Sequence, residues 1–211
     1  MDIEKEIEEV ITSYPRLNYF PDKKMLIGEI EISEGDVYNI RVDISPYPVY
    51  FPVVYEIDDR IPKKLDRHIY TGSGDCCLTT TAKAQILLKT KVKSLKIFFD
   101  EVLVKYLENN SYYEIHSRYF DEEYLHGPQG IVDAYKDILG IQDMRQIVIL
   151  MINRVEGRKL RLKDACYCGS GLTLKKCNNG KHSRMYKDFR AIDKGVLIND
   201  LTHFENLVTK N

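Results

Sequence analysis

At 211 residues, the chain can hold one full domain together with a smaller appendage. Hydrophobic residues make up 44% and charged residues 30% of it, which is typical of a soluble globular protein. No apolar run approaches the roughly 20 residues that a membrane span requires. The opening sequence MDIEKEIEEV is acidic and amphipathic, unlike a secretory signal. We therefore predict a cytoplasmic protein with no membrane partner.

Charge is distributed unevenly along the chain. The net charge is −1, but residues 154–190 contain eleven Lys/Arg and three Asp/Glu, so this segment carries +8 and the remainder carries −9. A basic C-terminal module predicts an anionic partner, either a nucleic acid or an acidic protein face. A solvated basic surface without a partner explains the same charges.

The first part of the chain shows one helical pattern followed by strand patterns. Residues 2–14 place apolar side chains on one helical stripe, and Pro15 ends the segment. Residues 25–33 and 37–45 alternate like half-buried strands, joined by the hairpin signal EGD.

A third strand, at 53–57, follows the proline-rich stretch SPYPVYFP, whose prolines exclude a helix. Residues 58–89 are predicted to be mostly loop. A strong helix is expected at about 90–110, where apolar side chains recur at helical spacing. Its aromatic residues are expected to belong to the core.

Helical patterns continue toward the end of the chain. A glycine-rich turn leads into a helix that ends at Gly140, and residues 141–157 form a further amphipathic pattern. Residues 184–208 are predicted to be helical again. A helix, three or four meandering strands, an irregular loop and then helices predict an α+β fold.

The stretch HIYTGSGDCCLTT, residues 68–80, places Cys76 and Cys77 side by side in a glycine-rich loop. Free cysteine is a small buried hydrophobe as often as a reactive thiol, so core packing and nucleophilic chemistry are both open. The chain has five cysteines in two tight groups. An odd and clustered set favours thiol or metal chemistry over a disulfide framework.

The order of these features resembles the ubiquitin-conjugating enzyme family. In that family a glycine hairpin and a proline-rich turn are followed by a His-Pro-Asn segment and a Gly-x-Ile-Cys-Leu active-site loop. The matching positions, over roughly residues 1–115, are Glu34-Gly35, Pro46, Pro48, Pro52, His68 and Gly74-Asp75-Cys76-Cys77-Leu78. The resemblance implies an antiparallel meander sheet with flanking helices.

The resemblance also implies roles for the loop residues. Cys77, which precedes Leu78, would form a thioester, while Cys76 occupies a hydrophobic position of the family. A loop flanked by glycines suits an accessible thiolate. The family's asparagine is absent here, and we expect Tyr70 or backbone N–H groups of the loop to substitute for it. His68 is expected to hold the loop or to take part in proton transfer.

These roles predict a transferase. Cys77 would accept a ubiquitin-like protein, or another protein C-terminus, and pass it to a lysine amine. No nucleotide-binding loop with a Walker lysine is visible, so a separate adenylating (activating) enzyme is expected. Bacterial relatives in phage-defence and ubiquitin-like conjugation operons vary at these positions, which suggests a role in antiviral defence. RWD-type domains, which are non-catalytic relatives of this fold, lack the cysteine and act only as binding surfaces. The alternative is that this chain is a non-catalytic adaptor of that type and binds a protein or nucleic acid.

The most specific local motif is CYCGSGLTLKKCNNGKH, residues 166–182. Cys-x-Cys, eight residues and a third cysteine, with Gly-Ser-Gly after the second thiol, resemble the SEC-C zinc motif. That family usually places Cys or His directly after the third cysteine, where this chain has Asn178. Thiolates and imidazole suit tetrahedral zinc. We therefore predict a structural Zn2+ held by Cys166, Cys168, Cys177 and His182; the alternative is a three-ligand or empty site.

Three segments follow from these patterns. Residues 1–140 are predicted to form the ubiquitin-conjugating-enzyme-like domain, 141–160 a connecting helix, and 161–211 an SEC-C-like zinc module with a terminal helix. His126, which precedes the glycine turn, either reaches the thiol site or caps the helix that follows.

Overall fold

The computed structural model describes residues 2–120 and 127–208, so His126 lies outside the described residues. The chain forms two compact units, Met1–Thr79 with Leu87–Glu123 and Thr80–Ile86 with Tyr124–Asn211. Each unit has a hydrophobic core of its own. In the described part of the chain, no helix is both long enough and apolar enough to cross a membrane.

The first unit begins with a helix and a four-stranded antiparallel sheet. The strands lie in the order β1-β2-β3-β4, so that each pairs with its neighbour in sequence. The predicted α+β class, with an antiparallel meander and flanking helices, is therefore confirmed. Helix α1 spans Ile3–Ser13, and the strands span Leu17–Phe20, Met25–Ser33, Asp36–Asp43 and Val53–Glu56.

Two local features fix these elements. Asp2 caps α1 by accepting a hydrogen bond from the backbone N–H of Lys5, which satisfies one of the free donors of the first turn. In β2, Gly28 has φ +145°, and a Cβ at this position would lie 2.2 Å from the carbonyl oxygen of Arg16. Strands β1 and β2 therefore approach each other more closely at position 28 than any residue other than glycine would allow.

Helix α2, Thr81–Thr90, lies where the sequence pattern predicted loop. Its apolar residues do not gather on one stripe, because Ala82, Ala84, Ile86, Leu87 and Leu88 spread around the helix. A pattern based on one apolar face therefore misses it.

The long helix predicted at about 90–110 consists of three joined segments. Helix α3 spans Leu95–Phe98, a π-helical turn spans Phe99–Leu103, and helix α4 spans Val104–His116. Ser94 caps the beginning by accepting from the backbone N–H of Ile97. Phe98, Phe99 and Tyr106 lie in the core of the first unit, as predicted, whereas Tyr112 and Tyr113 near the end of α4 are only partly buried.

The second unit is mainly helical. Helix α5 spans Gly127–Leu139, α6 spans Met144–Val155, α7 spans Lys181–Phe189 and α8 spans Lys194–Val208. Helix α5 falls in this unit, whereas the sequence-based division assigned residues up to 140 to the first domain. The physical reason is packing: the buried face of α5 shares one core with α6, α7 and α8.

Candidate functional site

The cysteine pair lies on a short hairpin of the first unit. Ile69 and Cys76 pair in antiparallel fashion. The backbone N–H of Cys77 donates to the carbonyl oxygen of His68 at 2.7 Å, and the N–H of Cys76 donates to the carbonyl oxygen of Val54 in β4 at 2.8 Å. The cysteine-bearing backbone is therefore hydrogen-bonded to two different segments.

The tip of the hairpin is a tight turn that depends on glycine. The N–H of Gly74 donates to the carbonyl oxygen of Tyr70 at 2.7 Å, and the N–H of Tyr70 donates to the carbonyl oxygen of Asp75 at 2.9 Å. Gly74 has φ +79°, a left-handed conformation that glycine adopts without strain. The predicted irregular loop is thus an ordered turn that leads directly into the cysteine pair.

The two cysteines have opposite environments. The Cys76 side chain is 7% exposed and belongs to the core of the first unit. Burial raises the pKa of its thiol to about 12, so Cys76 stays protonated and unreactive at neutral pH. Cys77 is only partly buried. Successive residues of an extended chain point to opposite faces, which explains why the neighbours differ.

Tyr70 is the polar side chain beside the exposed thiol. The Cys77 Sγ atom lies 3.2 Å from the Tyr70 hydroxyl oxygen. Burial and this hydrogen bond raise the pKa of the Tyr70 phenol above its usual range. The phenol therefore keeps its proton at neutral pH, and it can donate that proton in a hydrogen bond once Cys77 is a thiolate.

His68 lies at the base of the hairpin in a left-handed backbone conformation, with φ +54°. Its carbonyl oxygen accepts from the Cys77 N–H and also from the hydroxyl of Tyr106 at 2.9 Å. Its ring is buried and packs edge-on against the ring of Tyr119, with centroids 5.2 Å apart. The contacts of His68 thus shape the backbone that carries Cys77.

Helix α4 supports this hairpin with side chains that the sequence did not single out. Tyr106, Asn110 and Tyr113 are spaced four and three residues apart, so they share one face of the helix. Asn110 Oδ1 accepts from the Arg67 guanidinium at 3.2 Å, and the same guanidinium lies 4.2 Å from the ring centroid of Tyr113. Polar residues at helical spacing within an apolar pattern were the available signal for this face.

A second cluster lies in the other unit. The structure brings together all four predicted ligands, Cys166, Cys168, Cys177 and His182, with one donor atom from each lying within 4.8 Å of the others. A bridge between Ala165 and Thr173 closes the hairpin that carries the first two cysteines. His182 comes from the first turn of α7.

Four of the six distances between the donor atoms of this cluster lie between 3.3 and 3.5 Å, and the other two are no longer than 4.8 Å. Cys168 Sγ lies 3.5 Å from Cys166 Sγ and 3.4 Å from Cys177 Sγ, and His182 Nδ1 lies 3.3 and 3.4 Å from the Cys166 and Cys177 sulfurs. Zinc–ligand bonds of ordinary length would set these edges at about 3.8 Å for S···S and about 3.6 Å for S···N. These four edges therefore agree with tetrahedral coordination to within a few tenths of an ångström.

The surroundings of the cluster lower the pKa of one thiol, raise that of another, and fix the orientation of the imidazole. Burial opposes ionisation of Cys168, but hydrogen bonds from Ser170 and from the neighbouring thiols outweigh it and lower its pKa to about 6. Burial raises the pKa of Cys166 to about 12. The ring of Tyr167 stacks on the ring of His182 at a centroid distance of 5.2 Å, which fixes the orientation of the imidazole.

The last turn before α7 has an unusual backbone. Asn178, Asn179 and Gly180 are all left-handed, with φ of 47°, 50° and 76°. Asparagine and glycine are the residues that tolerate this conformation best. The turn carries the chain from the third cysteine to His182, so that an imidazole five positions along the chain completes the ligand set.

Comparison with protein-family models, with curated proteins and with solved structures gives no significant match to this chain. The chemistry of the two sites therefore rests on their geometry. The first offers a partly exposed thiol beside a protonated phenol. The second offers four protein donors, from three cysteines and one histidine, that could bind a metal ion.

Proposed function

We propose that this protein is a cysteine-dependent acyl transferase of the ubiquitin-conjugating type, with Cys77 as the carrier thiol. The observation that carries the proposal is the hairpin geometry. One of two adjacent thiols is partly exposed and lies 3.2 Å from a phenol that keeps its proton, and the backbone N–H groups of both cysteines are hydrogen-bonded to neighbouring segments. The resemblance of the motif order to the ubiquitin-conjugating family supports the same conclusion.

The reaction has two steps. The Cys77 thiolate attacks the activated C-terminal carbonyl of a ubiquitin-like protein, delivered as a thioester by a separate activating enzyme, and the donor's thiolate leaves. A lysine amine of the target then attacks the new thioester carbonyl. An isopeptide bond forms, the Cys77 sulfur leaves as thiolate, and the amine proton passes to solvent. No metal ion is required for either step.

Tyr70 has a defined role in both steps. Its hydroxyl donates a hydrogen bond to the thiolate before attack, and to the sulfur again as it leaves. The raised pKa of the phenol keeps this donor protonated throughout the neutral range. Tyr70 thereby supplies a hydrogen-bond donor to the sulfur itself, while His68 and Tyr106 position the backbone beneath the thiol.

We further propose that the ion in the second cluster is zinc. Three thiolates and one imidazole are the donors that zinc prefers in structural sites. When bound, the ion supplies folding free energy to a segment with few apolar side chains of its own. Cys166, Cys168, Cys177 and His182 would hold it, and their role is to fix the hairpin against helix α7.

The decisive experiment is an intact-mass spectrum of the protein co-expressed with its genomic neighbours, recorded with and without a thiol reductant. We expect a reductant-labile adduct on the wild type and on Cys76→Ala, and none on Cys77→Ala. Cys77→Ser should convert the adduct to a reductant-resistant ester. The mass of the adduct identifies the donor protein.

The matched Cys76→Ala variant separates the carrier thiol from its buried neighbour. If no neighbour gives an adduct, and Cys77→Ala behaves as the wild type in every assay, the transferase proposal is wrong. The same outcome would favour a non-catalytic adaptor in which Cys77 contributes only to the surface of the hairpin.

A further inference from the structure

The segment around the metal cluster carries a surface of unpaired positive charge. We define it by six exposed side chains, and no Asp or Glu carboxylate of the described residues lies within ion-pair distance of any of them. Two other cations of the region, Arg158 and Arg161, pair with Glu156 and Asp164 and are not included. The basic surface consists of Lys163, Lys175, Lys176, Lys181, Arg184 and Lys187.

Backbone contacts place these residues side by side. The N–H of Lys175 donates to the carbonyl oxygen of Leu162 at 3.0 Å, so Lys175 lies next to the turn that contains Leu162 and Lys163. A Cβ at Gly180 would lie 3.5 Å from the Lys175 carbonyl oxygen and 3.6 Å from Arg184 Nη1. The hairpin lysines and the beginning of α7 are therefore neighbours.

Helix α7 extends the basic surface. Lys181, Arg184 and Lys187 are spaced three residues apart and are all exposed, so they lie along one side of the helix. From Lys181 to Lys187 the helix rises about 9 Å. This length is comparable to the stretch of a nucleic-acid strand that carries a few phosphates. The opposite side of α7 is buried through His182, Tyr186 and Phe189.

The residue types of this surface indicate which kind of anionic partner it suits: a protein, a single nucleic-acid strand or a phosphate backbone. Every aromatic ring of residues 158–190 is buried, namely Tyr167, Tyr186 and Phe189. Protein-binding hot spots rely on exposed aromatic anchors, and binders of single strands rely on aromatic rings that stack with bases. A surface of lysines and arginines with its aromatic rings turned inward is suited to phosphate contacts alone.

We propose that this basic surface binds the phosphate backbone of a nucleic-acid duplex without regard to sequence. The proposal is independent of the transferase chemistry, because none of its residues belongs to the unit that carries Cys77. The Cys77→Ala variant should therefore bind a duplex as the wild type does, and a failure of one proposal leaves the other intact.

The test is fluorescence anisotropy of the full-length, zinc-loaded protein with a labelled duplex of 24 base pairs, as DNA and as RNA, over a range of salt concentrations. Each phosphate contact contributes about 0.9 to the slope of log affinity against log salt. We expect Lys175→Gln/Lys176→Gln/Arg184→Gln to reduce that slope by about 3 and the affinity at 0.1 M salt by on the order of 100-fold.

A matched control removes the same charge elsewhere. Lys5→Gln/Lys23→Gln/Lys64→Gln changes three exposed lysines of the first unit and should leave the slope unchanged. An equal loss in both triple variants would show a net-charge effect and overturn the proposal, as would an unchanged slope in the first variant. Circular dichroism and zinc content confirm that each variant is folded.

Two exposed leucines allow a protein partner to be distinguished from a duplex. Leu162 and Leu172 are 54% and 51% exposed and would contribute to an apolar protein contact. Leu162→Ser/Leu172→Ser should retain duplex binding, and poly-glutamate should compete poorly with the duplex. Loss of binding in this variant, or equal competition by poly-glutamate, would contradict phosphate recognition.

Discussion

Replacing Tyr70 by phenylalanine tests the chemistry of the proposed carrier site. Tyr70→Phe keeps the ring and removes only the hydroxyl that lies 3.2 Å from Cys77 Sγ. The thiolate then loses a hydrogen-bond donor, while the backbone contacts of the hairpin remain. We expect slower reaction of Cys77 with any electrophile, including an activated donor protein, without a change in the fold.

The structure sets the size of this effect. A hydrogen bond to a charged group contributes about 1.5–3 kcal/mol when it is protected from water. Tyr70 is 43% exposed, so solvent compensates for part of the loss and about 1 kcal/mol remains. The rate constant for Cys77 should accordingly fall about fivefold at pH 7.

The assay is alkylation by iodoacetamide under pseudo-first-order conditions, with Cys77 followed by peptide mass spectrometry. Cys76 is buried and protonated and should contribute little. Tyr50→Phe is the matched control, because Tyr50 is also an exposed tyrosine of the first unit. An unchanged rate in Tyr70→Phe, or the same decrease in Tyr50→Phe, would refute the assigned role of the hydroxyl.

Three further outcomes are expected. Gly28→Ala should lower the free energy of unfolding by about 3 kcal/mol in urea titrations, because a Cβ clashes with a backbone oxygen at positive φ. Gly35 also has a positive φ, but a Cβ there would meet open space, so Gly35→Ala should lower the free energy of unfolding by only about 1 kcal/mol. Equal losses in the two variants would refute the clash. His182→Ala should weaken zinc binding by on the order of 100-fold or more in chelator competition, whereas a variant that binds zinc normally would remove His182 from the ligand set. Burial raises the pKa of Asp200, so its stabilising contribution is present at low pH and is lost as pH rises through the folded pKa. Asp200→Asn should therefore stabilise the protein at pH 7 and lose that advantage near pH 3.5, and an equal effect at both pH values in urea unfolding would contradict the raised pKa.

Local patterns predicted a large part of the fold. Helix α1 and strands β2, β3 and β4 lie close to where the apolar spacing placed them, because each buries one regular face. Strand β1, Leu17–Phe20, is as short as β4 but lacks β-branched residues such as the Val53-Val54 pair that marked β4. Helix α2 spreads its apolar side chains around its axis. Both depend on tertiary partners that a local pattern does not contain.

The metal cluster could be predicted from sequence because its ligands are close along the chain. Cys166 and His182 are sixteen positions apart, and their spacing and glycine context reflect one local structure. The residues that support the thiol hairpin are different. Tyr106 contacts His68 across 38 positions and Asn110 contacts Arg67 across 43. Such pairs exist only after the helix has packed on the loop, so sequence spacing cannot reveal them.

Because Cys76 and Cys77 point to opposite faces, the register of the hairpin determines which of the two sulfurs is exposed to solvent. A slip of the hairpin by one residue would turn every side chain to the other face, so that Cys76 would meet solvent and Cys77 would enter the core. The hydrogen bonds from Cys76 to Val54 and from Cys77 to His68 oppose that slip. With the neighbouring sulfur held in the core, an acyl group carried by Cys77 in the proposed reaction would have no adjacent thiol to which it could migrate.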